Sequence, residues 1–276
     1  MKKCLFVLPI LFFISPIFAQ KESKNSVNLG FTPSYLLVKD EVLSPMIYRG
    51  SVLSLNLHYQ RIRPKGTWTV GGTYMFGKNL ISKSLIPEFR NDSMSFALGE
   101  VFWEYMRHIK TTDKVDWKLG LNNTNTFIYR NLITNLPRTA DLFGTTINLN
   151  NENRGIISTS VYNELKITTM LAYRLNNKFT LSNYLAFSLL SYSFSNAYNS
   201  INQSTISTIL PFASRLMFFN QFFDLQNSFL ATWNVSQRFN LSLGYHFRWL
   251  RQSPEITYRN FALAQQGFAL RASFTW

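Results

Sequence analysis

Charged side chains recur at intervals of two residues in several parts of this sequence. Glu164 precedes Lys166 by two positions, and Asp116 precedes Lys118 in the same way. Residues i and i+2 of an extended strand lie on one face, so each pair places a carboxylate beside an ammonium group. Such groups either neutralise one another as structural ion pairs or line a charge-selective passage. The candidates are Glu100, Glu104, Lys118, Glu164, Lys166, Arg248, Arg271 and His246.

The 3 histidines are the candidates for general-base and metal chemistry. They stand in the segments His58-Tyr59-Gln60, His108-Ile109-Lys110 and His246-Phe247-Arg248. None has a serine two positions later or an adjacent aspartate, and the three are widely separated without a clustered carboxylate. A base must reach the proton it abstracts, and a zinc ion needs several converging ligands. The sequence therefore predicts no catalytic residue, no metal and no cofactor.

These side chains belong to segments in which apolar and polar residues alternate, the period of a β-strand. Leu53, Leu55 and Leu57 alternate with Ser54 and Asn56, for example. We expect about ten such strands, with eight to twelve as the bounds, the last needing a bulge near residues 261–263 to keep its parity. The predicted strands cover roughly residues 26–39, 52–62, 67–76, 94–109, 115–122, 161–175, 179–195, 225–235, 239–249 and 258–276.

Composition and the N-terminal segment restrict the class of protein. Residues 1–19 combine two lysines with an apolar run and Ile17-Phe18-Ala19, which predicts a cleaved signal peptide followed by a single domain, residues 20–276. Cys4, the only cysteine, would be lost with it. Aromatic residues make up 16%, yet mean hydropathy is only -0.05 and no second stretch suits a helical span. A secreted all-β protein and a transmembrane β-barrel remain.

The lengths of the connections favour the barrel. Links after the second, fourth, sixth and eighth predicted strands are short turns, whereas the others are longer, above all near residues 133–157 and 196–219. Short periplasmic turns and longer extracellular loops are typical of a closed antiparallel transmembrane β-barrel. With an even number of strands, both chain termini are expected in the periplasm.

The chain ends in GFALRASFTW, in which Phe268, Leu270, Phe274 and Trp276 share one face. With the signal peptide, this ending resembles bacterial outer-membrane β-barrel proteins, whose last strand and terminal aromatic residue are recognised by the barrel-assembly machinery. The resemblance implies that Phe274 and Trp276 form the assembly signal, that the protein lies in the bacterial outer membrane, and that lipids and the assembly machinery are its partners. The cleavage point and asparagine-rich loops resemble those of the Bacteroidota.

A net charge of +14 raises the question of nucleic acid, but no nucleic-acid-binding motif occurs, so nucleic acid is not expected as a partner. The basic residues instead collect at predicted turns, where they can contact anionic lipid headgroups. Examples are Arg61, Arg63, Lys65, Arg107, Lys110, Lys114, Lys178 and Arg238.

The segment 196–219 is too apolar for a free loop. It either extends the neighbouring strands, folds into the barrel mouth, or binds an envelope protein. Its candidate residues are Ile209, Leu210, Phe212, Leu216, Met217 and Phe218.

The function we predict is non-enzymatic: a narrow channel, or a structural or accessory component of an envelope complex. The alternative is an outer-membrane barrel enzyme that cleaves lipids or peptides. Ten strands leave a narrow interior, so the inward charges are expected to pair. A turn centred near residue 111 would place Glu104 directly opposite Lys118 as such an ion pair.

Overall fold

The computed structural model describes residues 24–40, 44–82, 93–134, 139–142, 145–148, 154–200, 213–252 and 261–276. These residues are almost entirely extended, as the alternating pattern predicts. Within them, no helix is long and apolar enough to cross a membrane. The strands are β1 (Lys24–Asp40), β2 (Ser44–Arg63), β3 (Gly66–Ser82), β4 (Ser93–Thr111), β5 (Val115–Thr134), β6 (Thr139–Leu142), β7 (Thr145–Asn148), β8 (Arg154–Arg174), β9 (Phe179–Ser200), β10 (Ala213–Phe218), β11 (Phe222–Asn234), β12 (Phe239–Gln252) and β13 (Phe261–Thr275).

The long strands form a closed antiparallel barrel of ten strands, which confirms the predicted fold class. Neighbours in the barrel are neighbours in sequence, apart from the short β6, β7 and β10, and the pairings β8 with β9 and β13 with β1 complete the ring. Closure leaves no long strand with an open edge over most of its length, so the backbone polar groups are satisfied within the wall.

Tight turns join the strands at one end of the barrel, which we call the turn end. They lie at residues 63–66, 111–115, 174–179 and 234–239, as the short connections predicted. Their sequences explain them: the Asn176 side-chain oxygen accepts from the N–H groups of Lys178 and Phe179, and Ser236 Oγ accepts from those of Arg238 and Phe239. Asparagine and serine favour turns through such local bonds. The opposite end, where the longer connections lie, is the loop end.

The first and last described residues also meet at the turn end. Asn25 N–H donates to the Trp276 carbonyl and Trp276 N–H donates to the Asn25 carbonyl, both at 2.9 Å. The Trp276 ring lies 6.0 Å from that of Phe274 and 6.4 Å from that of Tyr59. The terminal tryptophan therefore fastens β13 to β1 where the ring closes.

Deleting Trp276 should lower the fraction of chain that refolds as a barrel into phospholipid vesicles, because both backbone bonds to Asn25 and the contact with Tyr59 are lost. The measurement is the difference in gel mobility before and after boiling. Trp276→Phe keeps the backbone bonds and an aromatic ring, so this control should refold like the parent. Equal refolding of the deletion and the parent would contradict the closing role.

Aromatic side chains form two exposed bands on the outer wall. The band near the turn end includes Tyr59, Trp103, Trp117, Tyr173, Trp233 and Trp276. The band towards the loop end includes Tyr74, Phe76, Phe127, Tyr192, Phe194 and Trp249. Between the bands, exposed leucine and valine side chains such as Leu57, Val101 and Leu243 cover much of the wall.

The bulge expected near residues 261–263 is absent from β13, and that prediction is wrong. The strand pairs with β12 without a register shift from Phe261, opposite Gln252, to Phe274, opposite Phe239. Phe261 and Leu263 therefore point inward, where they are 3% and 1% exposed. The bulge was expected because it would have turned these two apolar side chains outward. It is not needed, because the interior of the barrel near the loop end is itself largely apolar.

Segment 196–219 extends the neighbouring strands over its described part. β9 continues to Ser200, and β10 pairs antiparallel with it, Phe218 opposite Leu190. Leu216 and Phe218 are exposed on β10, and Met217 is 2% exposed between them. Ile209, Leu210 and Phe212 lie outside the described residues.

Candidate functional site

The interior of the barrel contains two layers of side chains of opposite character. The charged layer crosses the middle of the barrel and consists of Glu100 on β4, Glu164 and Lys166 on β8, Asp224 on β11 and Arg248 on β12. On each of these strands, the next inward residue towards the loop end is apolar: Leu98, Tyr162, Phe222 and Leu250. The apolar layer therefore lies directly on the charged layer.

Asp224 links the two cations of the charged layer. Its Oδ2 lies 2.5 Å from Lys166 Nζ and 2.8 Å from Arg248 Nη2, and Arg248 Nε donates to its Oδ1 at 3.0 Å. The two parallel contacts to Arg248 form a bidentate pair, the strongest arrangement of a guanidinium and a carboxylate.

The glutamates complete the network. Glu100 Oε1 lies 2.8 Å from Arg248 Nη2, and Glu164 Oε2 lies 3.2 Å from Lys166 Nζ. Thr126 Oγ1 lies 3.0 Å from both glutamates, so its one hydrogen serves one carboxylate at a time. The side chains of this layer are 0 to 8% exposed. Buried charges persist when they are paired, and each charged group of this network has an oppositely charged partner within 3.2 Å.

The alternating pattern of the sequence predicts that Glu100, Glu164, Lys166 and Arg248 point inward, and the structure brings all four together. Asp224 was not among the predicted residues, because the predicted strand began one residue later, at Leu225. A signal was present: Asp224 shares its parity with Gln226 and Ser228, which point inward. Ser188 Oγ accepts from the Asp224 backbone N–H at 2.8 Å, so β9 also holds the start of β11 in place.

The predicted ion pair between Glu104 and Lys118 is wrong. Glu104 lies opposite Asn122 and accepts from the Tyr184 hydroxyl at 2.9 Å. Lys118 lies opposite His108 and reaches Asp116 at 3.4 Å and Thr67 at 3.3 Å. The register differs because the turn lies at residues 112–114, where Thr112 N–H donates to Val115, and β4 is irregular between His108 and Lys110.

The histidines occupy separate places. His58 packs edge-on against Phe102 at 5.1 Å, His246 Nδ1 lies 2.8 Å from Ser228 Oγ inside the barrel, and His108 Nδ1 lies 2.7 Å from Asp116 Oδ1 at the turn end. Arg271 also points inward, opposite Gly30 of β1. Over the described part of the chain, no group of His, Cys, Asp and Glu is arranged to hold a metal ion.

The apolar layer fills the barrel towards the loop end. Tyr162 and Phe222 pack at 5.0 Å between ring centres, and the Tyr162 hydroxyl donates to Gln252. Arg130 stacks over Phe261 at 4.6 Å and donates to Ser158 and Ser160. Other members are Leu36, Val38, Tyr48, Val52, Met75, Leu80, Met94, Phe96, Leu98, Ile128, Leu132, Met217, Leu250 and Leu263.

The two layers have a clear chemical consequence. A hydrated ion that entered from the loop end would meet mostly apolar side chains, which offer no replacement for its water, and then charges already bound to one another. Among the described residues, the inward side chains of these two layers are buried and packed against one another.

No known protein family matches this sequence, and no curated protein does. Among solved structures, the chain is similar to the outer membrane protease OmpT from Escherichia coli, with a TM-score of 0.59 and 9% identity over 92% of this chain and 96% of that one. It also matches the translocator domain of the autotransporter NalP from Neisseria meningitidis, with a TM-score of 0.45 and 6% identity over 92% of this chain and 89% of that one. A third match is the Ralstonia pickettii toluene transporter TbuX, with a TM-score of 0.36 and 8% identity over 90% of this chain and 89% of that one. The likeness to OmpT shows the fold of a bacterial outer-membrane barrel.

Proposed function

We propose that this protein resides in the bacterial outer membrane, spans it as a closed barrel with a filled interior, and acts as a non-enzymatic structural or accessory component of the envelope. The observation that carries the proposal is the stacking of the apolar layer on the charged layer. Of the two functions that the sequence left open, a component of an envelope complex fits this interior better than an open channel.

The outer wall supports membrane residence. Two exposed aromatic bands with an apolar zone between them are what a transmembrane barrel presents to lipid and to its two interfaces. β2, β5 and β9 have 20, 20 and 22 residues, about twice the 9–11 that a spanning strand needs. The barrel thus continues beyond the bilayer, and the apolar layer serves as the core of the projecting part.

The basic residues support one orientation. Arg61, Lys65, Arg107 and Lys178 are exposed at the turn end, where Asn25 and Trp276 also meet. In an exported chain this end faces the periplasm and the loop end faces the outside, as in outer-membrane barrels generally. The exposed cations then lie at the level of the inner-leaflet headgroups.

The positions of the histidines support a non-enzymatic role. His58 and His246 are enclosed by the barrel, and His108 is hydrogen-bonded to Asp116 at the turn end. A histidine base must reach substrate, and all three lie away from the loop end. The chain shares its fold with a protease at 9% identity. A shared fold at that level of identity does not imply a shared activity.

Residues 20–276, refolded and added to a planar lipid bilayer, should give no discrete current steps. The charged layer and the apolar layer belong to the strands, so a variant that lacks residues 201–212 should also give no current steps. The measurement is single-channel recording at several hundred millivolts, on samples whose heat-modifiable gel mobility shows a folded barrel.

A general porin in the same bilayer is the control for detection. Regular steps from the parent protein would overturn the closed-barrel proposal. Steps that appear only after the deletion would transfer the closing role from the interior layers to that segment.

A further inference from the structure

Asparagine side chains interrupt the outer wall on one side of the barrel. Asn123 and Asn125 on β5, Asn163 on β8, Asn183 on β9 and Asn227 on β11 all have outward parity. We call these residues the amide patch. The strands that carry it are consecutive in the barrel, so the patch covers one continuous arc.

The members of the amide patch are hydrogen-bonded to one another. Asn163 Nδ2 donates to Asn125 Oδ1 at 2.7 Å, and Asn123 Nδ2 donates to Asn163 Oδ1 at 3.4 Å. Asn183 and Asn227 exchange two bonds, each of 3.4 Å. Asn123 Nδ2 also donates to the Glu164 carbonyl at 3.3 Å, whereas the exposed amides of Asn125 and Asn163 have donors that these contacts do not use.

The amide patch crosses the apolar zone, with Asn125 opposite Val101, and it reaches the aromatic bands at Asn123, opposite Trp103, and at Asn163, opposite Tyr192. Asn123 and Asn125 stand between Trp117 and Phe127 on the same strand, and Asn227 stands between Trp233 and Phe223. Lipid cannot satisfy the remaining amide groups at this height, and unsatisfied polar groups in hydrocarbon are unfavourable.

The other side of the barrel shows what this wall looks like where it meets lipid. From β12 through β13 and β1 to β4, the outward residues at the same height are apolar and exposed: Leu29, Leu57, Val70, Val101, Leu243 and Leu270. The exposed amides are therefore confined to one arc of the wall. Their remaining donors and acceptors would be satisfied by a polar partner that packs against that arc.

We propose that the amide patch is a dimer interface, at which a second copy of this barrel packs side by side in the membrane. This inference rests on the proposed membrane residence. A second copy fits because a primary amide both donates and accepts, so the patch is complementary to itself about a twofold axis. The patch carries no charge, so it offers nothing that would select an oppositely charged partner.

Cross-linking of single-cysteine variants tests the contact directly, because the only cysteine of the sequence is Cys4 and residues 20–276 contain none. Asn125→Cys, Asn163→Cys and Asn227→Cys are the probes, refolded into phospholipid vesicles and oxidised. Leu57→Cys and Leu243→Cys, on the apolar arc, are the matched controls. We expect a disulfide-linked dimer from at least one probe, at tenfold or greater yield over both controls.

Mass measurement in detergent supplies the second readout. The parent should sediment as a dimer, and the double variant Asn125→Leu, Asn163→Leu should raise the dissociation constant about tenfold or more, since interhelical and interstrand amide bonds in membranes contribute modestly each. Gln266→Leu, an exposed amide on β13 of the opposite arc, should leave the dimer intact.

The outcomes separate this inference from the proposed function. A folded barrel in vesicles that is monomeric and gives no cross-link from any probe overturns the dimer and leaves membrane residence standing. Cross-linking in cells to a different protein from the same positions also overturns the dimer. A chain that fractionates away from the outer membrane overturns the proposed residence itself.

Discussion

Asp224→Ala should destabilise the barrel by about 3–5 kcal/mol, enough to abolish refolding under conditions in which the parent refolds fully. Asp224 is the one carboxylate, among the described residues, in contact with both Lys166 and Arg248. Its removal leaves Lys166 and Arg248 with one carboxylate contact each, to Glu164 and Glu100, and the buried cations lose hydrogen bonds that no other described group replaces. The free energy of unfolding in urea, followed by tryptophan fluorescence in vesicles, measures the effect.

A triple variant shows whether the loss arises from the charge. Glu164→Gln and Lys166→Met added to Asp224→Ala remove the Lys166 cation together with the carboxylate that it would leave unpaired, while Arg248 keeps its 2.8 Å contact with Glu100. We expect this triple variant to recover part of the stability that Asp224→Ala loses. If the substitutions simply add, or if Asp224→Ala refolds like the parent, the charged layer is not the coupled network that its distances indicate.

Gly244→Ala should be the most destabilising glycine-to-alanine substitution in the barrel, and it should lower the free energy of unfolding by about 3 kcal/mol or more. Gly244 lies on β12 opposite Leu230 of β11, and a Cβ atom there would stand 1.9 Å from the Phe229 carbonyl oxygen and 2.8 Å from Leu230 Cα. Both are backbone atoms of the paired strand, so relief requires separating β11 from β12. The heat-modifiable fraction after refolding, together with urea unfolding, measures the effect.

Gly99→Ala is the matched control, because a Cβ at Gly99 meets nothing within 4 Å. That substitution should be neutral, or stabilising by about 0.5–1 kcal/mol, since glycine loses more backbone entropy on folding than alanine. Similar stabilities for the two alanine variants would show that β11 and β12 separate at Gly244 at little energetic cost, contrary to this prediction.

Local patterns in the sequence were sufficient to predict most features of the barrel wall. A period of two residues fixes which side of a strand each residue occupies, and the Asn176 and Ser236 side chains favour turns because they accept from backbone N–H groups two or three residues later. The strand number, the turn end and the inward direction of Glu100, Glu164, Lys166 and Arg248 all follow from such short-range rules, and the structure agrees with them.

Register across a turn is less secure from sequence. One irregular position in β4 and a turn displaced by two residues moved Lys118 from Glu104 to His108. A shift of this size preserves parity, so no sequence pattern records it, while it changes every cross-strand partner. The bulge expected in β13 failed for a related reason: parity alone does not say that an inward face is polar.

The sequence by itself determined that this chain alternates, turns tightly at one end and closes into a barrel of about ten strands, because those properties depend on neighbours a few residues apart. Only the tertiary structure decided what fills the barrel. Asp224 joins Lys166 from 58 positions away and Arg248 from 24, and the apolar layer assembles from every part of the chain. Such contacts exist only once the ring is closed, since closure is what brings these strands to face one another across a narrow interior.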